Sequence, residues 1–218
     1  SSFCSWLVEK QYMETNPCER IKSLKEEDKK RTAISPEDLK RITKYLSEND
    51  PYYLLVCRME YYTFIRPEEL TNIKLCDINL KEQKILIASN ISKNRRDGMV
   101  GLNDEIIKQM IDLHIFDNDT NCYLFSKGFK PGYKKITTRV IRDRFYKLRS
   151  VLKLPDTYLF YSFKDSGIRD LANSAGIVVA RDQARHTDIS TTNKYLKGSS
   201  LTVSYTHLRA HETRRHLV

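Results

Sequence analysis

The sequence predicts an α+β domain, mostly α-helical, carrying one small three-stranded antiparallel sheet. Three observations lead there. Apolar residues recur at helical spacing behind recognisable caps over 35–48, 51–65 and 103–113, and again from 135 to 154. Between Ile73 and Leu102 the period changes to two, and Asp97-Gly98 supplies a strong hairpin turn signal. Beyond Tyr158 the helical pattern returns and runs, with a break at Gly176, as far as Tyr195.

Taken in order, Phe3, Trp6, Leu7 and Tyr12 stand at roughly helical spacing, and Asn16-Pro17 stops them, because the residue before a proline is steered away from helical angles. Residues 1–16 are therefore expected to be a helix and its stop, and a chain that opens inside such a pattern is expected to be a fragment. Residues 17–34, with KSLKEEDKKR at their centre, lack large apolar groups and read as a solvated basic linker. Ser35-Pro36-Glu37-Asp38 combines a cap, a first-turn proline and carboxylates suited to the positive end of a helix. That helix should reach about Glu48 and bury Leu39, Ile42, Tyr45 and Leu46. A second helix from Pro51 carries YYLLVCRMEYYTFI, apolar on most faces, as a central core element would be. It ends at Ile65-Arg66-Pro67-Glu68-Glu69-Leu70, where Pro67 should open a short helix.

Strands are expected in IKLCDI, KILIAS and MVGL, with Lys93, Arg95 and Arg96 at the turn between the second and third. Asn103-Asp104-Glu105 caps a helix to about Leu113 that turns Ile106, Ile107, Met110 and Leu113 inward, and His114 reads as a polar cap at its carboxyl end. After a loop-rich stretch, 117–134, KKITTRVIRDRFYKLRSVLKL reads as a basic amphipathic helix. Ile136, Val140, Ile141, Phe145, Leu148 and Val151 should face in, and Lys135, Arg139, Arg142 and Lys147 largely outward. A short helix with Val178, Val179 and Ala184 should then present Arg185-His186. The hydroxyls of the Thr-rich segment that follows suit the cap of a last helix beginning near Ser190 or Thr191.

The chain has 218 residues and a formal charge of +10. Its last fifteen residues, 204–218, hold three of the five histidines and no apolar period, and resemble translated sequencing-adapter read-through, so they are expected to be a non-native tail. Their three arginines and one glutamate supply two of the charges, leaving +8 on the body. Such an excess favours a polyanionic partner through counterion release, although a basic surface by itself is equally compatible with an ordinary soluble protein. The five cysteines show neither CxxC nor Cys/His metal spacing and read as reduced side chains of a cytoplasmic protein. No apolar run reaches the roughly 20 residues needed to span a bilayer. There is no P-loop, no carboxylate cluster at metal spacing and no zinc ligand set, so neither a metal nor another cofactor is expected.

The residues that carry chemistry lie near the end of the body. His186 stands nine residues ahead of Tyr195 across Thr191 and Thr192. This arrangement resembles the last motif of the tyrosine recombinase (phage integrase) family, in which the tyrosine attacks a DNA phosphodiester. Arg66 with Glu69 and Leu70, following a long apolar helix and preceding strands, resembles the family's first catalytic arginine motif, with Arg66 as phosphate clamp and Glu69 as its support. Lys93 resembles the β-hairpin lysine that protonates the leaving 5′ oxygen; the competing view is that Lys93, Arg95 and Arg96 only keep a hairpin tip soluble. Where the family usually has His-x-x-Arg, this chain has Tyr161-Ser162-Phe163-Lys164, and the lysine-bearing form is similar to integrases of Bacteroides-type mobile elements. Lysine keeps the charge but loses the bidentate fork, and tyrosine can donate a hydrogen bond but not shuttle protons near neutrality. The residue before the motif histidine is usually glycine; here it is Arg185.

The resemblance implies a truncated core-binding domain over 1–16, a linker over 17–34 and an integrase catalytic domain over 35–203. It implies catalytic roles for Arg66, Lys93, Tyr161, Lys164, His186 and Tyr195, with Arg66, Lys164 and His186 as the cations on the reacting phosphate and Tyr161 as an added hydrogen-bond donor, and DNA contacts from Arg95, Arg96, Lys135, Arg139 and Arg142. The partners would be double-stranded DNA and further copies of the chain assembled on it, in a bacterial cytoplasm at the nucleoid. Two alternatives stay open: a DNA-binding module of the same fold with weak or absent chemistry, and a topoisomerase using the same nucleophile.

Overall fold

A computed structural model of the chain describes residues 2–21, 31–89 and 97–196. The chain divides into two compact units, Ser1–Lys30 and Arg31–Val218. The first holds helix α1, Ser2–Glu9, which buries none of its residues. Its aromatic residues stack on one another instead, Phe3 on Trp6 and Trp6 near Tyr12, each pair with centroids 6.2 Å apart. The following turn is held by the Asn16 amide, which donates to Ser5 Oγ at 2.9 Å and accepts the Cys18 N–H at 2.9 Å.

In the second unit α2 spans Pro36–Asn49, opened by Ser35 Oγ accepting the Asp38 N–H. Ile42 and Leu46 are buried while Leu39 and Tyr45 pack at the margin of the core. Helix α3, Pro51–Thr63, is buried along nearly its whole length, as its all-round apolar sequence predicts. It stops at Phe64, which takes the left-handed conformation (φ 57°), and α4, Pro67–Leu70, follows at once. Helix α7, Ser162–Ala175, crosses α3 at Gly167, where a Cβ would fall 1.8 Å from the Tyr61 carbonyl oxygen. Only a residue without a side chain permits that approach. Tyr53, Phe129, Phe145, Phe160 and Phe163 interlock beneath the pair with centroid spacings of 4.8 to 6.4 Å.

The sheet has the order β1-β2-β3, all antiparallel, with β1 at Ile78–Asn79, β2 at Lys84–Ile87 and β3 at Gly98–Gly101. Ile85, Ile87 and Val100 point into the core and Leu86 and Met99 outward, the alternation that period two demands. The first strand is much shorter than the expected IKLCDI. Leu75–Asp77 forms a 3-10 turn because Asp77 accepts the Lys74 N–H at 2.8 Å, and the N–H groups of Leu75 and Cys76 go to the carbonyls of Cys122 and Thr120. The hairpin tip with Lys93, Arg95 and Arg96 lies outside the described residues, as do residues 22–30 of the linker and the tail.

Helix α5, Asp104–Asp112, is capped by Asn103 as expected. His114 beyond it is exposed, in the left-handed region, and paired with Asp117 at 3.1 Å. Helix α6 covers Thr138–Val151, so Lys135 and Ile136 precede it. Its inward stripe is Ile141, Phe145 and Leu148. Val140 and Val151, expected inside, are exposed because they fall beside that i, i+4, i+7 stripe rather than on it. Helix α8 spans Ile177–Gln183 and α9 spans Ile189–Leu196. The last helix starts one residue earlier than expected, and the group at its start is the Asp188 carboxylate, accepting the Ser190 N–H at 2.7 Å, rather than a threonine hydroxyl.

Candidate active site

Arg66 is set by the abrupt end of α3. The left-handed Phe64 turns the chain out of the helix, and Arg66 becomes the residue that caps α4, ahead of Pro67. Glu69, almost wholly buried, then takes the Arg66 N–H at 3.0 Å on one carboxylate oxygen and Arg66 Nη1 at 3.2 Å on the other. A second arginine shares it: Arg185 Nη2 donates to Glu69 Oε2. Burial pushes the Glu69 carboxyl up, but the Arg66 N–H and the Arg185 charge and hydrogen bond outweigh it, so the acid is held below its ordinary range. The support expected of Glu69 is thus present, and it extends to a residue noted in the sequence only for replacing glycine. Arg185 has φ 55°, the left-handed conformation that suits glycine, and its side chain passes over Gly98, where a Cβ would meet its Cδ at 3.0 Å. Gln183 ties the end of α8 to Tyr62 and Gly101 through their carbonyls at 3.1 and 3.0 Å.

His186 and Tyr195 face each other across the α8 to α9 turn, their rings stacked with centroids 5.8 Å apart. His186 Nδ1 lies 3.0 Å from the buried Thr192 Oγ1, which fixes the ring. Burial, with the charges of Lys164, Arg66 and Arg185 adding to it, pushes the imidazole down to about 4, so it is neutral at pH 7 and not the cation expected from the sequence. Tyr195 packs against Phe64, Ile168, Ala180 and Ala184. Its phenol is raised, chiefly by burial; a hydrogen bond from Tyr161 and the charges of Arg31 and Arg66 act in the opposite sense, while Asp165 reinforces the rise.

Tyr161, at the start of α7, is raised by burial and then by the neighbouring Tyr195 and Glu60. Two cations lie over its ring, Arg31 Cζ 4.5 Å and Lys164 Nζ 5.5 Å from the centroid. Lys164 is fully buried and donates to the Phe64 carbonyl at 2.7 Å. Desolvation brings its ammonium down to about 8, opposed by Glu60. It therefore braces the α3 terminus from within, whereas the sequence placed it on the phosphate. Glu60, also fully buried on α3, has no hydrogen-bond partner for either carboxylate oxygen among the described residues, and burial drives it well above the usual carboxylate range.

The fold therefore gathers Arg66, Tyr161, Lys164, His186 and Tyr195 from four separate parts of the chain. It adds Arg31, Glu60 and Arg185, which sequence reasoning missed. Arg31 looked like one more linker cation and Glu60 like one polar residue in an apolar helix; only the unusual residue before His186 offered a signal, for Arg185. Lys135, Arg139 and Arg142 are exposed, Arg139 beside Asp143 at 3.5 Å, and none of them bonds to the Tyr195 group among the described residues.

The sequence model of the phage integrase family matches residues 32–201. This chain belongs to the phage integrase family. No curated protein matches it in sequence. Solved structures similar to this integrase-family chain include XerA recombinase, at 22% identity and TM-score 0.65 over 82% of this chain and 66% of that one. A lambda integrase dimer bound to a COC′ core site matches at 13% identity and TM-score 0.73, over 92% of this chain and 71% of that one. The Tn1549 transposon integrase in complex with circular intermediate DNA matches at 13% identity and TM-score 0.65, over 90% and 71%. At these identities the likeness is one of fold, and it includes the mostly helical build with a three-stranded antiparallel sheet. The chain spans less than two thirds of the XerA structure and 56% of lambda integrase in a further complex with the same core site.

Proposed function

We propose that this chain is the catalytic part of a site-specific DNA recombinase that cleaves and rejoins strands through a 3′-phosphotyrosyl intermediate. The observation that carries the reading is the position of Tyr195, a half-buried phenol stacked on His186, packed against Phe64 and Ile168 and within the electrostatic reach of Tyr161 and Arg66. A phenol near its ordinary value of about 10 is a poor nucleophile at neutrality, and here it is raised further. The uncharged state is the resting state of the free enzyme. As the phenol oxygen bonds to phosphorus its proton passes to solvent and the bond to the 5′ oxygen breaks, while the nonbridging oxygens of the phosphodiester gain negative charge in the transition state. Arg66, held by Glu69, offers its guanidinium to those oxygens, and neutral His186 offers a ring N–H. An entering phosphate also raises His186 toward its charged form. Lys93 protonates the leaving 5′ oxygen, and Lys135, Arg139 and Arg142, with Arg95 and Arg96, contact the DNA backbone.

The lambda integrase structures, one of which is a tetramer bound to a Holliday junction, support assembly of several copies on DNA. Reduced cysteines and the absence of any helix among the described residues long and apolar enough to cross a membrane fit action on nucleoid DNA in a bacterial cytoplasm. The interior position of Lys164 favours one alternative, a module that binds DNA with little chemistry, since this cation cannot meet phosphate as it stands. A nicked suicide substrate decides between them. The recombinase gives a covalent protein–DNA adduct that is lost in Tyr195→Phe; tight binding without adduct overturns the reading in favour of the module.

A further inference from the structure

Residues 31–35, which lead into α2, form a strap along the first turns of α7. The Thr32 N–H donates to the Thr157 carbonyl at 3.3 Å and the two hydroxyls meet at 2.8 Å. The Ile34 N–H donates to Ser166 Oγ at 2.7 Å, Arg169 reaches the Ile34 carbonyl at 3.3 Å, and the Ser35 N–H donates to the Tyr158 hydroxyl at 3.1 Å. None of these bonds involves the Arg31 side chain. That side chain does something else: its Nε and Nη2 fork onto the two oxygens of Asp165 at 2.5 and 3.2 Å, while its Cζ lies over the Tyr161 ring, 4.5 Å from the centroid. A planar, two-pronged donor that also stacks is a geometry lysine cannot copy.

The consequence reaches the nucleophile. Asp165, one residue beyond Lys164, has a side chain only 11% exposed and stands one turn of α7 before Ile168, against which Tyr195 packs, so its negative charge acts on Tyr195 against formation of a phenolate. Arg31 acts on the same oxygen in the opposite sense. Among the described residues Tyr161 and Arg66 also act on Tyr195, and His186 stacks on its ring. We propose that Arg31 is a positioning residue for Tyr195: it holds the Tyr161 ring in place and neutralises Asp165, so the phenol oxygen takes up charge without facing a bare carboxylate. This rests on the recombinase reading above. Because the strap keeps its other bonds, removing the guanidinium leaves the fold standing and exposes the nucleophile to Asp165.

The test measures the rate of adduct formation on a suicide substrate at saturating DNA and about pH 8, where carboxylates are ionised. Wild type, Arg31→Met, Arg31→Lys, Asp165→Asn and Arg31→Met/Asp165→Asn are compared, with thermal melts to verify folding. Arg31→Met should slow the adduct by roughly ten- to a hundredfold, the size of one unscreened charge at close range. Arg31→Lys, which keeps the charge and loses the fork, should fall between. The double variant should regain most of the loss, because the offending charge is gone; a merely structural arginine would show no such rescue. An active wild type with Arg31→Met unimpaired, or a double variant as slow as Arg31→Met, overturns the inference alone. Absence of adduct from wild type overturns the recombinase reading, and the inference with it.

Discussion

Replacing Glu69 with glutamine tests the clamp on which the placement of Arg66 depends. The carboxylate is 2% exposed and accepts three donors, the Arg66 N–H at 3.0 Å, Arg66 Nη1 at 3.2 Å and Arg185 Nη2. An amide of the same shape has one acceptor oxygen, so at most part of that set survives, and its NH2 is turned toward a guanidinium that can only donate. Hydrogen bonds to charged groups contribute about 1.5–3 kcal/mol each, and breaking a buried ion pair by removing one partner costs about 3–5 kcal/mol. Because both guanidinium groups keep some contact with water, Glu69→Gln should cost about 3 kcal/mol, the low end of the latter range. For a domain of this size that lowers Tm by about 6–12 °C at neutral pH. The pH dependence has a definite sign. The folded acid is held below its ordinary value of 4.5, so the stability it adds is present above that value and lost as pH falls through the lower folded one. The gap between wild type and variant, followed by circular dichroism melts, should therefore close on acidification below that range. A loss of less than about 2 °C, or a gap that does not change with pH, would refute the clamp.

Other outcomes follow from particular contacts. Gly167→Ala puts a methyl group into the Tyr61 carbonyl, and α3 and α7 must separate; it should lose at least the roughly 1–3 kcal/mol typical of overpacking, read as a lower denaturation midpoint in urea. His186 is neutral in the folded state down to about pH 4, whereas an unfolded histidine protonates near 6.5, so wild type should lose stability on going from pH 7 to 5 by about 1–2 kcal/mol more than His186→Asn. Equal slopes for the two proteins would remove that assignment. Replacing Lys135, Arg139 and Arg142 together with alanine should weaken DNA binding without a change in sequence preference. The log–log salt slope should also fall by about 2–3, near 0.9 for each lost phosphate contact. An unchanged slope would take them off the DNA face.

How much of this was legible beforehand depends on how local the cause was. The caps at Ser35 and Asn103, the helix of α3 and the alternation of Ile85, Ile87 and Val100 follow from near neighbours and came through. The first strand was overestimated because its backbone partners, Thr120 and Cys122, are distant in sequence. Val140 and Val151 were misplaced because an apolar side chain is a weaker guide than the stripe it belongs to. In the site, residue type and spacing pointed to Arg66, His186 and Tyr195, but charge state lay beyond them. Whether an imidazole is an imidazolium or a lysine faces solvent depends on burial and on neighbours from other helices.

The sequence by itself determined the order of helices and strands, because periodicity and caps act over a few residues, and it carried the motifs through which the chain resembles its family and that single out Tyr195 as the candidate nucleophile. Tertiary structure alone decided that Arg31 and Arg185 join the site, that Lys164 braces Phe64 from inside, and that His186 is uncharged. Each of these depends on how far α3, α7, α8 and the strap approach one another, and Coulomb and desolvation energies are set by those distances rather than by position along the chain.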